Sequence, residues 1–377
     1  MYISTTADLE SFCKRATEHD AIAVDTEFIR EKTFHPHLCL IQIATRDEVA
    51  IIDPLLIKDL SSLARLMANP AIMKVFHACS QDMEALYFVL DTLPAPLFDT
   101  QIAVAFLGER QQISYHALIK SYCQVELAKS ESLTDWSVRP LSPSQLRYAA
   151  EDVSYLIQAF DVVQEQLREQ GRMSWVLDEL SPYTQLEHYV QDPRLAFLKM
   201  KRINTLTRRQ LGIARELAAW RETSAEEYNI PRKWMLSDEV LIEFVRNPPR
   251  TYDMLRRVRG TERLQAHDIK GALDAVSRGL ACPSEKLPHP PRPRHITTPE
   301  RESVVDLMYA LIRLVSKRSR VAASLIASRD DLLNYMDEPE KSPLRDGWRF
   351  ELVGSLIDDL LQGNIGLTAV NGHLEIL

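Results

Sequence analysis

Asp25-Thr26-Glu27 stands at the end of an apolar run, Ala21–Phe28 (AIAVDTEF), that reads as a β-strand entering a site. Residues i and i+2 of a strand point to one face, so the two carboxylates converge. Held together at a strand end they repel each other and lose hydration, and a hard divalent cation would relieve both costs. Asp82 lies in His77-Ala78-Cys79-Ser80-Gln81-Asp82, where a short strand gives way to a helix. In a first helical turn its ordinary role is to meet the helix dipole. Tyr148 and Asp152 (YAAED) are i and i+4 and share one helix face, with only small neighbours between them. Taken singly, each of the three features has an ordinary structural reading.

The elements that must position these residues follow from the hydrophobic pattern. Leu38–Thr45 and Val49–Asp53 are two further β-rich runs joined by a short polar turn, and with Ala21–Phe28 they predict an antiparallel meander. Then the pattern alternates: helix over Ser61–Ala68, strand over Lys74–His77, helices over Ser80–Leu90, Asp99–Leu107 and Ile113–Tyr122. A mixed α/β sheet with helices packed on it is the expected N-terminal architecture. Ser142-Pro143-Ser144-Gln145 is a strong helix start, and the helix is predicted to run to about Gln170, with Gly171 as its stop. From Leu206 the chain reads as helical: Leu211–Thr223, Asp238–Val245, Thr251–Val258 and Asp268–Arg278, then Pro299–Ser316, Arg320–Ala327, Asp330–Tyr335 and Trp348–Gln362, with a strand only in the last few residues. Between the two sets, the proline-rich Pro283–Arg294 reads as an extended linker. The predicted domains are 1–200, 201–285 and 300–377, with a linker over 286–299.

At 377 residues the chain exceeds what one hydrophobic core normally serves. It contains no apolar run of membrane-spanning length, and Met1–Leu9 lacks the basic start and apolar stretch of a signal peptide. The five cysteines are scattered without a CxxC, which fits a reducing cytoplasm and no thiolate metal site. The net charge of −8 is unevenly spread. Residues 1–200 carry 28 acidic against 17 basic side chains, 201–295 carry 12 against 19, and 296–377 are again acidic at −4. An acidic first part beside a basic middle fits a carboxylate metal site next to a polyanion-binding module.

As a set, Asp25, Glu27, Asp82, Tyr148 and Asp152 resemble the motifs of the DEDD exonuclease superfamily in its tyrosine-bearing branch, in order, separation and local structure. Within it, the segment FIRxKTFxPxLCLIQIA after the first motif, FDTQIA at Phe98–Ala103 and KSESLTDWSVRPLSPSQLRYAAEDVSYL at Lys129–Leu156 resemble the bacterial ribonuclease D family. The resemblance implies a ribonuclease-H-like fold and 3′→5′ exonucleolytic release of 5′-mononucleotides. It also implies two divalent ions, Mg²⁺ or Mn²⁺, held by Asp25, Glu27, Asp82 and Asp152, with Tyr148 orienting the attacking water. Thr26, Phe28, Leu38 and Gln42 are candidates to touch the terminal nucleotide, His77 to touch phosphate, and Lys129, Trp136 and Arg139 to steer the strand. Asp99 and Gln101 read as helix-start structure, and Trp136 reads first as buried packing.

Residues 206–281 resemble the HRDC module, through LAAWRE at Leu217–Glu222, Asn229-Ile230-Pro231, WMLSDE at Trp234–Glu239, Asn247-Pro248-Pro249 and Gly260. Residues 300–377 are similar to a second, diverged copy, so two all-α HRDC-like domains are expected. Arg202, Arg208, Arg209, Arg232, Lys233, Arg256, Arg257 and Arg259 are the candidate phosphate contacts of the first copy. The expected substrate is RNA, precursor tRNA and small structured RNAs at their 3′ ends, for a monomer in the cytoplasm with no membrane partner. A DNA exonuclease of the same superfamily and a non-catalytic nucleic-acid adaptor are the competing expectations.

Overall fold

The computed structural model describes residues 1–127, 134–290 and 298–377. Apolar residues fill the first strands: β1 (Tyr2–Ile3), β2 (Ala21–Ile29), β3 (His37–Ala44) and β4 (Val49–Ile52), with α1 (Thr6–Ala16) after β1. Next come α2 (Ser61–Ala68), β5 (Met73–Phe76), α3 (Ser80–Leu90), β6 (Leu97–Asp99), α4 (Thr100–Ala105) and α5 (Tyr115–Cys123). One six-stranded sheet results, in the order β1-β4-β3-β2-β5-β6. β3 runs antiparallel to β4, whereas β1–β4, β2–β5 and β5–β6 are parallel pairs. The expected mixed sheet is present. The pattern missed β1, which is two residues long, and β6, of which only the last residue, Asp99, falls in the predicted helix Asp99–Leu107.

The helix predicted over 142–170 is two helices, α6 (Pro143–Ser154) and α7 (Leu156–Glu169), separated at Tyr155. Neither Pro nor Gly marks the break. The Ser154 hydroxyl bonds back to the Ala150 carbonyl, a contact that bends helices, and the Tyr155 carbonyl accepts the Cys123 thiol at 3.7 Å. α6 starts as predicted: Ser142 accepts the Gln145 N–H while the Gln145 side chain accepts the Ser142 N–H.

Residues 1–27, 39–185 and 295–377 form one compact unit, and 28–38 with 186–294 form a second. In the first, α8 (Met173–Leu180) receives the C-terminal helices. Trp348 stacks on Trp175 with ring centroids 5.7 Å apart and meets Phe106 edge-on at 4.9 Å. Arg349 donates two bonds to the Glu179 carboxylate, at 2.8 and 2.9 Å.

In the second unit, α9 (Arg208–Glu227), α10 (Arg232–Met235), α11 (Asp238–Arg246), α12 (Tyr252–Arg256) and α13 (Ala266–Leu280) enclose a core of their own. α9 and α13 approach closely at Gly279, where a Cβ would stand 2.5 Å from the Ile213 Cα. The turn after β2 belongs here: the Asn229 side-chain oxygen accepts the N–H groups of Phe34 (3.0 Å) and His35 (3.3 Å), and the Arg232 guanidinium lies 4.4 Å from the Phe34 ring. The proline-rich segment is seated as far as Leu287, whose carbonyl accepts Arg208 at 3.2 Å; residues 291–297 of the predicted linker lie outside the described residues.

The C-terminal helices of the first unit, α14 (Pro299–Ser319), α15 (Ala323–Ile326) and α16 (Arg329–Asp337), repeat the lengths of α9, α10 and α11: 21, 4 and 9 residues against 20, 4 and 9. Left-handed residues, Arg320 and Asn229, follow the long helix in each set. The repeated lengths fall in the stretch expected from the sequence to be a second, diverged copy. α17 (Gly347–Arg349) and α18 (Ser355–Gln362) follow, and the chain ends in a two-stranded hairpin, β7 (Leu367–Val370) and β8 (His373–Ile376), so the C-terminal region is not wholly helical.

Candidate active site

The sheet delivers Asp25 and Glu27 on one face of β2, and α6 delivers Tyr148 and Asp152. Carboxylate oxygens of Asp25, Glu27 and Asp152 lie within 4.8 Å of one another. Asp82, in the first turn of α3, stands beside them: after burial, its charge is the largest influence raising Asp25. The hydroxyl of Thr26, which lies between Asp25 and Glu27 on β2, donates a hydrogen bond to Asp82 Oδ1. Tyr148 donates its hydroxyl proton to Asp152.

The electrostatics follow from crowding four acids in a buried place. Burial, then the charges of Asp152 and Asp82, pushes Glu27 up to about 8. Burial pushes Asp82 and Asp152 up to about 7 each, against the opposing effect of their hydrogen bonds from Thr26 and Tyr148. Asp25 lies well above its ordinary value, for burial and for all three neighbouring charges. Tyr148 is raised too, by burial first and then by Asp152, Glu27 and Asp25, so at neutral pH it is a phenol and not a phenolate. Hard oxygen donors that repel one another and hold protons near neutrality suit a divalent cation, which exchanges those protons for a positive charge.

α3 is aimed by a carboxylate from another element. Asp99, at the end of β6 and 1% exposed, accepts the N–H groups of Ala78 (3.1 Å) and Cys79 (2.7 Å) ahead of α3. It also accepts those of Gln101 (2.8 Å) and Ile102 (3.3 Å) at the start of α4. Ala78 has φ 66°, a costly conformation for a residue with a Cβ, and these bonds hold it there. Asp99 therefore caps α4 and at the same time holds the turn that leads into α3, the helix that carries Asp82.

The remaining sequence candidates are placed as follows. His77 is engaged at both ring nitrogens, by the Thr100 hydroxyl (2.9 Å) and the Ile113 carbonyl (3.0 Å). Gln42 is fully buried in β3, and its amide makes no hydrogen bond among the described residues. Leu38 is buried, and Phe28 is partly buried in β2. Trp136 is 4% exposed, with its ring 5.9 Å from that of Tyr148. Arg139 is paired with the buried Asp53. Lys129 lies outside the described residues.

Two neighbours of the site had no signal in the sequence. Tyr115 donates its hydroxyl to the Glu151 carbonyl (3.0 Å), which fastens the start of α5 to α6, and the adjacent His116 is exposed with its charge acting on Asp152. Both belong to a segment that reads only as a helix start.

Of the basic residues singled out in the second unit, Arg209 bonds the carbonyls of Leu280 (3.3 Å) and Cys282, and Arg256 those of Thr261 (2.8 Å) and Leu264 (2.7 Å). Arg232 is paired with Glu222. Arg202, Lys233, Arg257 and Arg259 are exposed, as are Trp234 and Tyr252.

Comparison with known proteins agrees with this arrangement. A 3′-5′ exonuclease family model matches residues 1–168, and the HRDC domain model matches 210–268. Ribonuclease D of Gluconacetobacter diazotrophicus is 36% identical over 98% of this chain and 94% of its own length, and that of Sphingobium indicum is 38% identical over 99% and 97%. The crystal structure of Escherichia coli RNase D, an exoribonuclease involved in structured RNA processing, superposes with a TM-score of 0.83 at 33% identity, covering 96% of this chain and 98% of that one. With both domains matched in order, and the likeness running the length of the chain, this protein belongs to the ribonuclease D family of 3′→5′ exoribonucleases.

Proposed function

We propose that the protein removes nucleotides one at a time from RNA 3′ ends, precursor tRNA and small structured RNAs among them, by hydrolysis between Asp25, Glu27, Asp82 and Asp152. The meeting of three carboxylates within 4.8 Å, on a strand and a helix far apart in sequence, carries this reading. Two divalent ions held by the four acids would supply positive charge to the scissile phosphate, activate the attacking water and stabilise the leaving 3′ oxygen.

The chain's own residues do the positioning. Asp25 and Glu27 share a rigid strand, so their separation is set by the pleat and not by a loop. The Thr26 hydroxyl fixes the rotamer of Asp82. Tyr148 donates a hydrogen bond to Asp152, which leaves the phenol oxygen free to accept one from the attacking water and so orient it. Because the phenol stays protonated, Tyr148 orients the nucleophile without serving as the base. Phe28 and Leu38 are apolar candidates for contact with the terminal base. Arg202, Lys233, Arg257 and Arg259, interleaved with Trp234 and Tyr252, form the surface of the helical unit best suited to phosphates and stacked bases. No described helix is long and apolar enough to cross a membrane; we read the protein as a cytoplasmic monomer.

The test is to incubate the purified protein with a 3′-extended tRNA and a DNA strand of matched sequence, in Mg²⁺ or in EDTA, beside Asp25→Asn and Asp152→Asn. Stepwise release of 5′-mononucleotides from the RNA is expected, abolished by EDTA and by either substitution in a folded protein. Preferential digestion of the DNA, or full activity in either variant, overturns the reading.

A further inference from the structure

Arg139 lies between α5 and α6, and every donor it owns is used inside the protein. Its Nε donates to Asp53 Oδ2. Nη1 reaches the Trp136 carbonyl (2.6 Å) and the Val138 carbonyl (3.0 Å). Nη2 reaches the Cys39 carbonyl (2.8 Å) and Asp53 Oδ1 (3.0 Å). A guanidinium has five N–H groups, and five acceptors meet them, so none is left for a phosphate. Asp53, at 0% side-chain exposure, also accepts the Tyr2 hydroxyl and the Leu55 N–H (3.0 Å). The pair is a buried latch that ties the segment holding Trp136 to three strands: β1 through Tyr2, β3 through Cys39, and the end of β4 through Asp53.

What the latch presents to the site is Trp136. Its indole, 4% exposed, lies 5.9 Å from the Tyr148 ring at 35°. The same segment is fixed to α6 by Gln145, whose side-chain amide donates to the Thr134 hydroxyl at 3.1 Å. A Tyr148 ring backed by a wall that cannot shift keeps its hydroxyl on Asp152.

We infer that Arg139 is a positioning residue: through Trp136 it holds Tyr148 in line with Asp152, and it takes no part in binding RNA. The inference rests on the reading that Tyr148 acts in the hydrolysis.

The experiment compares wild type, Arg139→Lys, Tyr148→Phe and the double variant on a single-stranded RNA oligonucleotide, measuring kcat, KM and the dependence of kcat/KM on salt. Lysine cannot span five acceptors, so kcat is expected to fall about 10- to 100-fold in Arg139→Lys, the cost of a misaligned catalytic group. KM and the salt slope should not change, and the double variant should turn over no more slowly than Tyr148→Phe alone. A raised KM with kcat intact and a salt slope shallower by about 0.7, the signature of one lost phosphate contact, overturns the inference. So does a double variant whose losses multiply. Should Arg139→Lys fail to fold, Trp136→Phe, which keeps an apolar filling but removes the indole, must show the same non-additive loss with Tyr148→Phe. Unchanged turnover in Tyr148→Phe alone defeats the role of Tyr148 instead, and the two failures are thereby told apart.

Discussion

Removing divalent cations should destabilise the folded protein at pH 8 and leave it nearly unaffected at pH 5. In the unfolded chain the site acids lose their protons near their ordinary values, 4.5 for Glu27 and 3.8 for Asp82 and Asp152. Folding without a cation raises them to about 8, 7 and 7. Between these limits the native state binds more protons than the unfolded state, so stability falls as pH rises from about 4, and the penalty is complete above about 8. At about 1.4 kcal/mol per tenfold change, Glu27 alone sets a ceiling near 5 kcal/mol, and because its value already contains the repulsion of its neighbours the four acids do not simply add. A bound cation removes the penalty, so it binds more tightly as pH rises. Thermal unfolding from pH 5 to 8.5, in Mg²⁺ or Mn²⁺ against EDTA, reads this directly. A difference of several degrees is expected at pH 8, at about 1–2 °C per kcal/mol, shrinking toward zero at pH 5. Glu27→Gln should be more stable than the wild type in EDTA at pH 8 and should respond less to metal. Equal metal-induced shifts at pH 5 and pH 8 would refute the reasoning.

Tyr148→Phe should lower kcat by about 10- to 1000-fold with little change in RNA affinity, measured by single-turnover kinetics and by binding of an uncleaved RNA in EDTA. Asp99→Ala should cost at least about 3 kcal/mol in urea unfolding, because four backbone N–H groups lose a buried acceptor, and it should lower kcat because the start of α3 no longer fixes Asp82. Trp348→Ala should cost about 3–5 kcal/mol in the same assay by emptying the contact among Phe106, Trp175 and Trp348; a loss below 1 kcal/mol would mean that the C-terminal helices are held elsewhere.

Local sequence was informative wherever one element carries the signal. The pleat predicts that Asp25 and Glu27 share a face, and Ser142-Pro143-Ser144-Gln145 predicts the start of α6, because periodicity and capping are decided within a few residues. What joins distant elements was not readable. Asp99 is a helix cap from any viewpoint, but its second duty, before α3, depends on β5 lying beside β6. Arg139 in a segment near the site reads naturally as a phosphate ligand, and only the arrival of Asp53 and Cys39 at the same point reveals five internal acceptors. The basic residues of the helical unit show the same limit: Arg208, Arg209 and Arg256 contribute to its positive charge while bonding its own carbonyls. The break at Tyr155 escaped notice because its causes are a hydroxyl turned back on its own helix and a thiol from α5.

The two indoles stacked at 5.7 Å and 22° have an optical consequence. Indole transitions that close couple, and because the rings are tilted and not parallel, Trp175 and Trp348 should give a paired circular-dichroism signal that neither residue gives alone. Trp175 is on α8 and Trp348 on the C-terminal helices, so the signal reports docking between them and nothing else in the chain. Followed during denaturation or RNA titration, it would show, without any added label, whether the C-terminal helices leave their seat before the sheet melts or only with it.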